Sequence, residues 1–155
     1  MTYRISGLDP SQFAHLLGRS DPELAALGAT RVTATADRGF PCRIALDDAK
    51  AGETLILLHH VSHDVATPYR SAYAIYVREA ADKAAVYEDR VPPVFAGRPL
   101  GLRGFGPDGM LKTAMMALPG EADEKIRELL EDPAVAYIDA HNAAHGCFAA
   151  RIERA

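Results

Sequence analysis

The chain has no tryptophan, only two cysteines in 155 residues, and no apolar run long enough to cross a membrane. Its longest strongly apolar stretch is Leu55–Leu58. The N-terminus, Met1-Thr2-Tyr3-Arg4-Ile5, lacks a basic region followed by an apolar stretch, so no export signal, a cytoplasmic location and no membrane partner are expected. Cys42 and Cys147 are too few for a disulfide framework or a four-thiolate zinc site. In a reducing compartment both are expected as free thiols, neither strongly activated, since no base or metal ligand stands beside them in sequence. The basic field of a general nucleic-acid binder is missing too, because the formal net charge is −4. Repeats, low-complexity tracts and Gly/Ser/Pro-rich linkers are also absent. The whole chain, 1–155, therefore reads as a single domain, and an apolar fraction of 48% suffices for its core.

What is present is mostly strand. Thr2–Ser6 alternates polar and apolar residues and predicts a strand. Asp9-Pro10-Ser11-Gln12 and Ser20-Asp21-Pro22-Glu23 place a cap before a first-turn proline, and Gly18 and Gly28 follow as stops. They predict helices near 10–17 and 21–27. Further strands are expected at 30–36, 42–46, 54–58, 73–77, 100–105, 110–117, 134–140 and 147–153. Apolar residues on both faces of Thr54–Leu58 suit a central strand. Residues 80–86 suit a helical turn or two, and Val91–Val94 suits extended loop. Gly120–Leu130, with its acidic first turn and the stripe of Ile126, Leu129 and Leu130, predicts a third helix. Strands and helices do not alternate regularly. The expected class is α+β, a mainly antiparallel sheet with about three short helices packed on one face.

Four segments carry chemistry-bearing residues. Gly39-Phe40-Pro41-Cys42-Arg43 sets a thiol beside a guanidinium, which suits either a reactive cysteine or a small buried hydrophobe opening a strand. His59, His60 and His63 raise the question of zinc, but on a strand His59 and His60 face opposite ways, so no metal site is expected. Tyr69 and Arg70 follow Pro68 and offer a phenol and a planar fork to an oxyanion, or a rim tyrosine and a surface ion pair. His141-Asn142 and His145-Gly146-Cys147 form the densest polar cluster. Asn142 and Gly146 suit a turn, but a turn alone does not account for His141. Cys42 or Cys147 with His141 and Asn142 supplies the residue types of a nucleophile, base and orienter, without a local signature around either cysteine or an oxyanion loop.

Together, Gly39–Arg43, Pro68-Tyr69-Arg70 and His141–Cys147, continuing through Arg151-Ile152-Glu153-Arg154, resemble a bacterial family catalogued as a domain of unknown function. The resemblance runs in order from Tyr3-Arg4-Ile5 to the last arginine, with His145 standing where the pattern carries a basic residue, often arginine. It implies one domain spanning the chain, with no established activity, substrate or catalytic residue. It also implies that Cys42, Arg43, Tyr69, Arg70, His141, Asn142 and Cys147 belong to one pattern.

The expected function is small-molecule binding or catalysis in a pocket for an anionic ligand, lined by Arg43, Tyr69, Arg70, His141 and Asn142 and needing no cofactor. Two alternatives stand beside it. One is a non-catalytic interaction module, such as a homodimer, in which these groups satisfy one another or pair with acids such as Asp139 and Glu153. The other is a thiol-dependent enzyme with Cys42, Cys147, His141 and Asn142 as its catalytic candidates.

Overall fold

A computed structural model describes residues 1–155. The antiparallel α+β class holds, with more strand than helix and the strands divided between two sheets. Nine strands form: β1 (Tyr3–Ser6), β2 (Thr30–Thr33), β3 (Thr54–His63), β4 (Ser71–Arg78), β5 (Val86–Glu88), β6 (Leu100–Phe105), β7 (Leu111–Ala117), β8 (Tyr137–Asn142) and β9 (Phe148–Arg154). The larger sheet runs β5-β1-β9-β8-β6-β7 and the smaller β2-β3-β4. As its two apolar faces require, β3 is the central strand of its sheet.

Two α-helices accompany them, α1 (Asp21–Ala26) and α2 (Ala122–Glu131). Ser20 and Glu23 cap α1 reciprocally, Ser20 Oγ accepting from Glu23 N at 3.3 Å and Glu23 Oε1 from Ser20 N at 3.1 Å. The stripe on α2 buries Ile126, Leu129 and Leu130 among Tyr3, Ile5, Leu102, Ile138 and Ile152 of the larger sheet. A second core lies with the smaller sheet, where Phe13, Leu16 and Leu24 meet Cys42, Ile44, Ile56, Ile75, Val77 and Phe148.

Three segments depart from the sequence reading, while the helix expected near 10–17 forms as a 3₁₀ helix over Pro10–Leu16. Its buried residues, Phe13 and Leu16, are three apart, which is the 3₁₀ repeat. Residues 42–46 form no strand. Cys42 N donates to Asp47 O at 2.9 Å, Leu46 N donates to Cys42 O at 3.0 Å, and Leu46 takes a φ of 55°. This coil is wedged into the core, and neighbouring segments satisfy its backbone. Arg43 N donates to Tyr76 O at 3.1 Å, while Arg43 O and Ile44 O each accept at 2.9 Å, from Leu8 N and Ala85 N. Residues 80–85 run from a turn through irregular chain into β5, which opens at Val86 and pairs with β1. In Val91–Val94, Pro92 is extended, but a 3₁₀ turn begins at Pro93.

Candidate functional site

The two sheets leave a cavity of about 680 Å³ beside the β8–β9 turn. That turn supplies Asn142, Ala143, Ala144, His145 and Cys147 to the wall; β4 supplies Tyr73 and Tyr76, the wedged coil supplies Arg43, and Arg98 comes from the segment before β6. The turn is closed by Asn142 N donating to Cys147 O at 2.9 Å and Gly146 N to Asn142 O at 2.8 Å. Gly146 takes a φ of 75°, the left-handed region that glycine enters without strain. Ala143 N donates to Pro99 O at 3.0 Å, which continues the β6–β8 pairing into the turn.

Arg43 is 2% exposed. Its Nε donates to Phe148 O and its Nη1 to Pro41 O, both at 2.8 Å, and its Nη2 to Cys147 Sγ at 3.0 Å. It forms no ion pair with a carboxylate, unlike Arg98, which holds Asp48 through two bonds of 2.6 and 3.0 Å. Burial lowers the pKa of Arg43 and the nearby Cys147 sulfur opposes that shift; arginine remains cationic regardless. The cavity wall carries two arginines and a histidine and not one acidic residue, in a chain whose net charge is −4.

Cys147 is partly exposed, and a second donor, Asn142 Nδ2, faces its sulfur at 3.4 Å. His141 lies behind the turn, 5% exposed and inside β8 rather than in the loop. Its Nδ1 donates to Gly146 O at 2.9 Å, and Arg103 Nη1 donates to its Nε2 at 3.3 Å. A guanidinium can only donate, so the ring is neutral with its proton on Nδ1. Burial, with Arg103 adding to it, also pushes the pKa of His141 down. The histidine that a turn could not explain is thus the post that holds the turn from behind.

The other singled-out residues lie elsewhere. Cys42 is fully buried, its sulfur accepting from Ala45 N at 3.4 Å and Arg78 N at 3.3 Å, and both cysteines are free. Although Arg43 is its neighbour in sequence, that side chain reaches Cys147. Tyr69 and Arg70 do not line the cavity; Arg70 is exposed and pairs with Asp64 at 3.1 Å. Asp139, fully buried, pairs with Arg151 through two bonds of 2.7 and 3.0 Å. His59 is exposed, and His60 lies with its ring centre 5.9 Å from that of Phe13. His63 is buried, with Nδ1 donating to Tyr69 O at 2.9 Å and Nε2 bonded to the Tyr137 hydroxyl at 2.6 Å. The sequence reading missed Arg98, Tyr73 and Tyr76 as wall residues. Only the proximity of Arg98 to Pro99 hinted at a fixed guanidinium, and nothing marked the tyrosines.

Residues 39–154 match the family described as Protein of unknown function (DUF1203). The chain belongs to the DUF1203 family. Every segment that carried the resemblance from Gly39 onward lies within that match, as do all the residues that build the cavity. No curated protein and no solved structure matches this DUF1203 chain.

Proposed function

We propose that the domain binds a small organic anion, bearing a carboxylate or a phosphate, in the cavity between the β8–β9 turn and β4. The observation that carries this reading is the charge of the wall, which is cationic and free of acids in an acidic protein. A guanidinium has five N–H groups, and three of those on Arg43 are engaged, leaving two on a residue that lines the cavity. Held by two carbonyls, this fork loses little freedom when an anion arrives. Asn142 adds an amide, and Leu57, Ile75 and Pro99 offer an apolar surface for the rest of the ligand. Arg43 and Asn142 thus carry over from the sequence reading, His141 acts through the turn, and Tyr69 and Arg70 fall outside. A small ligand suits the net charge better than nucleic acid does. We place the protein in the bacterial cytoplasm, where Cys42 and Cys147 stay reduced. No helix is long and apolar enough to cross a membrane.

The test is a thermal-shift screen at low salt with succinate, citrate, inorganic phosphate and glycerol phosphate. At least one raises Tm with increasing concentration, by mass action on the folded state. Ala144→Glu, which sets a carboxylate on the exposed wall of the turn, abolishes the shift, and Arg70→Ala preserves it. A panel that leaves Tm unchanged, or a shift that survives Ala144→Glu, contradicts the reading.

A second reading rests on Met116 in the edge strand β7 and Leu118 just beyond it, 56% and 54% exposed. This edge suits a homodimer, which light scattering tests directly.

A further inference from the structure

The floor of the cavity holds a free sulfur as well as a guanidinium. Cys147 is partly exposed there, and two N–H donors face its Sγ, Arg43 Nη2 at 3.0 Å and Asn142 Nδ2 at 3.4 Å. Cys147, Arg43 and Asn142 all line the cavity, and the thiolate is the form of a cysteine that attacks. The pair brings a buried cation and an accessible thiol to one concave surface.

The surroundings narrow the chemistry. A thiol hydrolase needs a base beside the sulfur and donors for an oxyanion. Both nitrogens of His141 are engaged, Nδ1 with Gly146 O and Nε2 with Arg103, so neither is free to take a proton from Cys147. Two of the turn amides are committed as well, Ala143 N to Pro99 O and Gly146 N to Asn142 O. Thiol–disulfide exchange needs neither a base nor an oxyanion hole, only a thiolate and access to it. Cys42 is fully buried and gives no accessible second thiol.

We propose that Cys147 is a site of reversible S-thiolation by small disulfides that carry carboxylates. The Cys147 thiol first loses its proton to solvent. The thiolate then attacks one sulfur of the disulfide, a new Sγ–S bond forms as the old S–S bond breaks, and the other half leaves as a thiolate. Cys147 is oxidised to the mixed disulfide and the departing half is reduced. An incoming thiol reverses the step. The acid-free wall selects the anionic disulfide, so this inference rests on the anion-binding reading.

The experiment treats the full-length reduced protein with three reagents in separate reactions. These are dithiobis(nitrobenzoate), which is anionic, dipyridyl disulfide, which is neutral, and cystamine, which is cationic. Released thiol gives the rate, and peptide mass spectrometry locates the adduct. One thiol per chain reacts, at Cys147, faster with the anionic reagent than free cysteine does. Cys147→Ser removes the reaction, and Cys42 stays unmodified while the protein is folded. At low salt the anionic reagent is preferred over cystamine by about tenfold or more relative to free cysteine, and both high salt and Ala144→Glu collapse that preference. If Cys147 is no faster than free cysteine with any reagent, or Cys42 is the residue modified, S-thiolation at Cys147 is overturned while anion binding in the thermal-shift screen stands. If Cys147 reacts fast but without preference among the reagents, the substrate class and the anion-binding reading fall together.

Discussion

Arg43 and Cys147 meet at 3.0 Å across 104 residues of chain, the guanidinium donating to the sulfur. The contact joins the wedged coil at 42–46 to the β8–β9 turn, and both residues line the cavity. It also decides which cysteine faces the ligand space. Cys42 shares a peptide bond with Arg43 but serves as core, its sulfur capping two backbone amides.

Arg43 has a structural duty alongside its charge. Arg43→Met leaves the carbonyls of Phe148 and Pro41 without their donors in a buried region. An expected loss of about 1–3 kcal/mol follows, measured by urea denaturation. Arg43→Lys keeps the charge but cannot span the same acceptors, and falls between. An unchanged midpoint in Arg43→Met would show that water replaces the guanidinium at no cost.

Asp139 is fully buried and depends on Arg151, whose guanidinium also lies 4.4 Å from the centre of the Tyr137 ring. Arg151→Met strands the carboxylate and is expected to cost about 3–5 kcal/mol. Adding Asp139→Leu removes the stranded charge and recovers most of that loss, a coupling visible in a double-mutant cycle. A loss below about 1 kcal/mol in the single variant would contradict the account of this pair.

His141 sets a pH dependence. Burial holds its folded-state pKa below the ordinary value of about 6.5, and burial does the same to His60, with His59 and Arg43 adding to it. The unfolded chain therefore binds more protons just below that pH. The stability linked to neutral His141 is fully present above about pH 6.5 and declines as pH falls. His141→Asn keeps a donor for Gly146 O but does not titrate. Its stability curve between pH 7 and 5 is expected to be shallower by up to about 1.4 kcal/mol per pH unit, one proton's worth. Parallel curves for the two proteins would remove His141 as the cause.

Gly7 marks where the wedged coil meets the larger sheet. A Cβ there would lie 1.9 Å from Ile44 O and 2.8 Å from Ile44 C, and that carbonyl already accepts from Ala85 N. Gly7→Ala is expected to lose more than about 4 kcal/mol or fail to fold. Gly101→Ala, where a Cβ meets nothing within 4 Å, should change stability by less than about 1 kcal/mol. Circular dichroism melts of the two variants separate these outcomes.

Local signals carried much of the fold. The caps at Asp9 and Ser20, the stripe of α2 and the two-sided run in β3 all mark elements that form. The coil at 42–46 misled because Cys42, Ile44 and Leu46 are apolar for burial in a wedge, not for alternation in a strand. β5 was hidden because three residues carry too little periodicity, and its pairing with β1 comes from the far end of the chain. For the site, the family resemblance placed Cys42, Arg43, Tyr69, Arg70, His141, Asn142 and Cys147 in one pattern. The pairing of Arg43 with Cys147, and the separation of Arg70 from them, depend on how the two sheets pack, which local spacing does not encode.

Whether the cavity over Arg43 is an anion site is decided by a crystal structure with the anion that gives the largest thermal shift. Density is expected in the cavity, with anionic oxygens about 3 Å from Arg43 and from the Asn142 amide, and Arg98 still paired with Asp48. An empty cavity at saturating ligand, with the anion bound instead at a surface cation such as Arg70, would contradict it.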